Sequence, residues 1–159
     1  MKNLKAFTMI ELVFVIVVLG ILAGIAVPRL AATRDDATIA KMRGDVAAIR
    51  SGISLVRSEN MMRGVTTWPD LEAATDDTTK LFENILQNPI YPKTGCGASP
   101  NVTINGWCAG VANTSYWACV GRACTQFTYV QNSAAIPAGR NLGSFDCNHQ
   151  DDLCQKIAQ

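Results

Sequence analysis

Lys5-Ala6-Phe7-Thr8-Met9-Ile10-Glu11-Leu12-Val13-Phe14-Val15 opens a run that reaches Val27 and ends at Pro28, and its reading decides the fold. Between Phe7 and Val27 only Thr8 and Glu11 depart from apolar or small residues. At 1.5 Å per residue these 21 residues make a helix about 31 Å long, enough to span a bilayer. A short basic leader with Lys2 and Lys5 precedes the run. An acid inside such a segment costs about 2.5–3.5 kcal/mol on insertion scales, so Glu11 needs a partner or a purpose. Chain order offers the partner. A cut between Ala6 and Phe7 creates a new α-amine about one helical turn before Glu11. That amine, on the same or a neighbouring chain, can neutralise the carboxylate in lipid.

Downstream of Pro28 the helical pattern continues in another form. Ile39, Met42, Val46, Ile49, Ile53 and Val56 recur at spacings of three and four, one apolar stripe along a helix. Arg34, Lys41 and Asp45 fall mainly off that stripe. Pro28 lacks an N–H and its ring opposes the Gly24 carbonyl, which predicts a kink or a melted turn between them. Gly20 and Gly24 form a Gly-x-x-x-Gly pair, which lets helices approach closely in lipid, although glycine is also simply tolerated there. Arg63-Gly64, a basic residue before a glycine, marks the helix end. The chain therefore reads as one long stem with a spanning half and an amphipathic half, the second covering a sheet.

The remaining 95 residues, 65–159, suffice for one small domain. Residues 65–110 are rich in Pro and Gly and read as an irregular connection with one short helix over 79–86. Strands are expected at 116–120 and 126–131, with a weaker one at 102–107. From 134 the tail is turn-rich, then helical from Asp151. The head is thus a small antiparallel sheet of three or four strands, whose order stays open. All six cysteines (Cys96, Cys108, Cys119, Cys124, Cys147 and Cys154) lie in this head. An even number in a small turn-rich exported domain points to disulfides, and of the fifteen pairings the nearest-neighbour set is simplest. That set is Cys96–Cys108, Cys119–Cys124 across a hairpin, and Cys147–Cys154.

The stretch from Lys5 to Leu30 resembles the processing site of type IV pilins and of the pseudopilins of type II secretion systems. The resemblance covers about a sixth of the chain and implies an α+β, pilin-like fold. It divides the chain into a leader (1–6), a transmembrane and filament-core helix (7–28), an amphipathic stem (29–64) and a disulfide-rich β head (65–159). It further implies that a prepilin peptidase cuts between Ala6 and Phe7 and methylates the new amine. Glu11 takes the place of the family's assembly residue, and Gly20 and Pro28 fall where its stem carries helix-loosening residues. The usual residue before the cut is Gly, and this chain has Ala6. The implied partners are other pilin-like subunits, the peptidase and an assembly platform. The implied location is the bacterial inner membrane, single-pass with the head outside the cytoplasm, before assembly into a periplasmic or surface filament. A Cys147–Cys154 loop is similar to the C-terminal disulfide loop of many type IV pilins.

Other readings stand beside this one. An ordinary secretory signal has a shorter apolar core than the run from Leu12 to Val27, although Ala23-Gly24-Ile25-Ala26 imitates its cleavage site. A plain bitopic anchor would leave Glu11 at the interface near Lys5. In the head, Cys147, His149 and Cys154 can supply metal ligands, but no Cys-x₂-Cys spacing suggests structural zinc. Asp146, Asp151 and Asp152 offer oxygen ligands, and the resemblance brings in a late-loop calcium site, though the segment does not match an EF-hand. The preferred reading is a solvated acidic turn held by a disulfide, with no metal or other cofactor. No Gly-rich phosphate loop, Gly-x-Ser-x-Gly elbow or His-Glu-x-x-His motif is present, so no enzyme is expected. Trp68, Trp107, Tyr116 and Trp117 are candidates for contacting a substrate or adhesion target, with core packing the stronger reading. Asn101-Val-Thr103 and Asn113-Thr-Ser115 fit the common glycosylation pattern. The chain carries +1. Residues 29–64 sum to +3 and 65–159 to −3, a balance that excludes nucleic-acid binding by bulk charge.

Overall fold

The first helix starts and stops where side-chain and backbone caps allow. The structure, a computed structural model, describes residues 7–73, 79–93, 103–110, 114–133, 136–137 and 139–159, without the side chains of 27–33. Helix α1 (Met9–Met62) begins after Thr8, whose carbonyl accepts from the N–H groups of Glu11 and Leu12 and whose Oγ1 accepts from Glu11 N–H at 3.3 Å. At the other end Gly64 adopts φ +80°, the left-handed conformation that glycine takes without a Cβ penalty. Val65 N–H then reaches Asn60 O at 2.8 Å and Gly64 N–H reaches Met61 O at 3.1 Å, the paired bonds of a Schellman motif. The end expected near Arg63-Gly64 is where the helix stops. No melted turn appears at Gly20, Gly24 or Pro28, because α1 is helical throughout. One proline deletes a single rung, and the rungs around it sustain the helix.

Two compact units divide the chain, Met1–Asp36 and Ala37–Gln159. In the first, the apolar segment Met9–Ala26 is long and apolar enough to cross a membrane by length and composition, and none of it is buried.

In the second unit, Met42, Val46, Ile49 and Ile53 from the α1 stripe are buried in one core with residues of the head, and Ile39 packs at its edge. The head contains β1 (Gly106–Ala109), β2 (Ser115–Val120), β3 (Ala123–Tyr129) and β4 (Phe145–Cys147), an antiparallel meander in the order β1-β2-β3-β4. Strand alternation places Trp107, Tyr116, Ala118, Phe127, Tyr129 and Phe145 in that core. Trp107, Tyr116, Phe127 and Phe145 also contact Phe82 or one another at centroid distances of 4.5–6.1 Å. A second, smaller cluster of Ile104, Cys108 and Cys119, with Trp117 packed on it, uses the opposite alternation. Trp107 Nε1 donates to Asp45 Oδ2 at 3.0 Å, tying β1 to the helix. Gly52 is a close-approach position, since a Cβ there would lie 2.5 Å from the Ile85 carbonyl oxygen. Helix α2 (Asp152–Ala158) starts at the Asp151 cap, whose carboxylate accepts from Leu153 N–H at 3.2 Å.

Three expectations from the sequence are corrected. The helix over 79–86 does not form. Leu81 exchanges both backbone hydrogen bonds with Ile90, at 2.7 and 2.9 Å, and Phe82 sits at φ +63° with its ring buried. Backbone bonded to a distant residue, followed by a left-handed one, cannot continue a right-handed helix. The strand expected at 102–107 lies at Gly106–Ala109, in register Trp107↔Ala118, which turns the indole into the core. The strand expected at 126–131 begins earlier, at Ala123, because a two-residue turn at Gly121-Arg122 pairs Ala123 with Val120 at once. Strand β4, three residues within the stretch read as turn-rich, completes the sheet.

Candidate functional site

Two groups of residues carry chemistry, and each is built by local backbone structure. At the start of α1, Phe7 and Thr8 lie before the first helical residue, and Phe7 is 82% exposed. Glu11 is in the first helical turn, where the partial positive charge of the unpaired N–H groups favours an acid. None of the described residues forms an ion pair with its carboxylate. Every large apolar side chain from Met9 to Ile25 is exposed. The region is therefore an acid set into an uncovered apolar helix, which needs surroundings from outside the chain: lipid, other subunits or both. At Gly20 and Gly24 an added Cβ would meet nothing within 4 Å, so close approach there has no partner among the described residues. Ala6 lies outside the described residues. Sequence reading passes over Thr8, although the Thr8-x-x-Glu11 spacing of a capping box marks it.

The second group surrounds Asp146. Its Oδ1 accepts from Arg50 Nη2 at 3.0 Å and from Cys147 N–H at 2.9 Å, and its Oδ2 meets His149 Nε2 at 2.9 Å. Burial pushes the Asp146 carboxyl up. The hydrogen bonds from His149 and Cys147 N–H, with the charges of His149 and Arg50, outweigh it and hold the group below the ordinary carboxylate range. Arg50 also donates to the carbonyls of Phe145, at 3.0 Å, and Ala158, at 3.2 Å, while Arg43 donates to Lys156 O. Arg50 thus ties α1 to β4 and to the end of α2. In the sequence it is one cation among seven in its segment. Deeper in the core, burial first, then Glu72, raises the Tyr116 phenol. Burial, then Asp70, raises that of Tyr129.

The described cysteines are structural. Cys119 is bonded to Cys124 and Cys147 to Cys154. Cys108 is disulfide-bonded too, and Cys96 lies outside the described residues. No free thiol occurs among the described cysteines, so none of these offers His149 a sulfur nucleophile to activate. Its neighbours Asp146 and Asp151 are engaged, by Arg50 and by the α2 cap. No cluster of three metal-ligating side chains occurs among the described residues. Of the four candidate aromatics, Trp107 and Tyr116 are core residues, whereas Trp68 and Trp117 are half-buried. The Arg57 guanidinium lies 4.9 Å above the Trp68 ring, so that indole is occupied within the fold. Asn101 and Asn113 lie outside the described residues.

Residues 1–27 match the family described as the prokaryotic N-terminal methylation motif. The chain is 36% identical over 72 residues to the type II secretion system core protein G of Klebsiella michiganensis, across 45% of this chain and 50% of that protein. The protein of that name from Pseudomonas aeruginosa is 37% identical over 59 residues, 37% of this chain and 42% of its own. The type IV narrow pilus major component PilA5 of Thermus thermophilus is 47% identical over 51 residues, 32% of this chain and 44% of its own. The chain thus spans about half the length of these relatives. No solved structure matches it.

Proposed function

Because the chain belongs to the family of type IV pilins and type II secretion pseudopilins, we propose that it is a structural subunit of a pilus-like filament, specifically a pseudopilin of a type II protein secretion system. The observation that carries this reading is the uncovered apolar helix with a single acid in its first turn. A prepilin peptidase cuts between Ala6 and Phe7, and the Phe7 amine is methylated. Before assembly the chain spans the inner membrane once, with its head outside the cytoplasm. The disulfides of the head support an oxidising compartment there. On assembly, Glu11 of an incoming subunit pairs with the Phe7 amine of a neighbour, and the apolar helices bundle while the heads coat the filament. The function is mechanical, and it calls for neither a catalytic group nor a cofactor.

Mass spectrometry of the mature N-terminus tests the processing step, with a chain that begins at N-methylated Phe7 expected. A chain that retains Met1 or begins at Val27 contradicts it. Glu11→Val should leave membrane insertion intact or improved, since it removes a costly group, yet abolish filament assembly. Normal filaments from that variant would sink the assembly role.

A second reading, a surface type IV pilin for adhesion, motility or DNA uptake, is favoured by the likeness to a major pilus component. Gene neighbours separate the two. A secretin with a secretion ATPase supports the pseudopilin, and pilus retraction machinery supports the pilin.

A further inference from the structure

The start of α1 bears on how the chain is matured. In the structure the helix begins at Met9, and Thr8 caps it with both its carbonyl and its hydroxyl. Phe7 and Thr8 lie outside the helix. A peptidase must reach the scissile carbonyl and the backbone beside it. Helical backbone presents neither, because its N–H and C=O groups are bonded along the axis. The upstream residues do not by themselves favour non-helical backbone. Leu4, Lys5 and Ala6 are all strong helix formers, and Asn3 is the next residue of a type that can cap. A helix entering lipid must also satisfy its first N–H groups, which favours growth toward the N-terminus until a cap is met.

We infer that Thr8 is a positioning residue for maturation: by ending α1 at Met9, it keeps Phe7, the residue that follows the cut, in non-helical backbone for the processing peptidase. This rests on the processing reading above. Without the Thr8 cap the helix start moves back to Asn3, and Ala6 and Phe7 become the third and fourth helical residues. Thr8 acts through backbone conformation, so any good capping residue can replace it, whatever its side-chain chemistry.

The test uses the full-length chain in detergent micelles, a purified prepilin peptidase at limiting concentration, and mass spectrometry of the released N-terminus. Thr8→Ala should be cut about fivefold more slowly, the shift that loss of a typical cap produces. Thr8→Ser and Thr8→Asn should stay within about twofold of the wild type, in line with their capping strength. Backbone chemical shifts of residues 5–7 should turn helical in Thr8→Ala alone. Equal cutting of Thr8→Ala and wild type overturns the inference. So does rescue by Ser without rescue by Asn, which assigns recognition of the hydroxyl by the peptidase instead. A wild-type chain left uncut before Phe7 overturns the processing reading itself, and this inference with it.

Discussion

The two units of this chain use apolar residues in opposite ways. In the first, large aliphatic side chains from Met9 to Ile25 are all exposed, and the only acid among them forms no ion pair among the described residues. In the second, Met42, Val46, Ile49 and Ile53 are buried with Phe82, Trp107, Tyr116, Phe127 and Phe145 in one core. The first unit depends on what it is put into, and the second supplies its own interior. Substitutions in the two should therefore act on separate properties, insertion and assembly in one and folding of the head in the other.

The largest effect expected within the second unit is at Phe82. Its ring is fully buried and contacts Trp107, Tyr116 and Phe145. Phe82→Ala should destabilise the head by about 3–5 kcal/mol, the range for aromatic truncation in a core. Denaturant unfolding followed by tryptophan fluorescence measures this, and membrane insertion should not change. If insertion fell with head stability, the two units would not be separable.

Reduction should come next. The Cys119–Cys124 and Cys147–Cys154 bridges close short loops, with separations of 5 and 7 residues, so each contributes about 2 kcal/mol in the chain-entropy account. A reductant should lower the melting temperature of the head and leave the helical signal of Met9–Ala26 unchanged, since that segment holds no cysteine. Thiol labelling of unfolded, unreduced chain should find no free sulfhydryl. Labelling of two or more would overturn the disulfide framework.

The smallest effect concerns Asp146. Its folded carboxyl titrates below the ordinary value, so its contribution is present above about pH 4 and is lost as pH falls through the lower folded value. The pair with Arg50 is partly exposed, which limits the effect to under about 1 kcal/mol. Melting curves from pH 6 down to pH 2 should lose part of their acid sensitivity in Asp146→Asn. An unchanged slope would remove Asp146 from the acid response.

What local chemistry along the chain determined is the stem. A 21-residue apolar run, an acid in its first turn, a stripe at three- and four-residue spacing and a stop at Gly64 are all read from residues that follow one another or recur about one turn apart. Helical hydrogen bonds join positions four apart, so these signals are complete in the local sequence. The confinement of cysteine to the head and a helix beginning near Asp151 were legible for the same reason.

Only the tertiary structure decided the rest, because the deciding partners are distant in sequence. Residues 79–86 have helical propensity, yet the bridge from Leu81 to Ile90 and the burial of Phe82 against β1, β2 and β4 overrode it. Strand β4 has three residues and no periodicity to read, and it exists because Phe127 and Tyr129 offer it a ladder. Arg50 became the tie between α1, β4 and α2 because Asp146, nearly a hundred positions away, folded onto it. Pairings of that kind depend on which surfaces meet after collapse, and spacing along the chain carries no record of them.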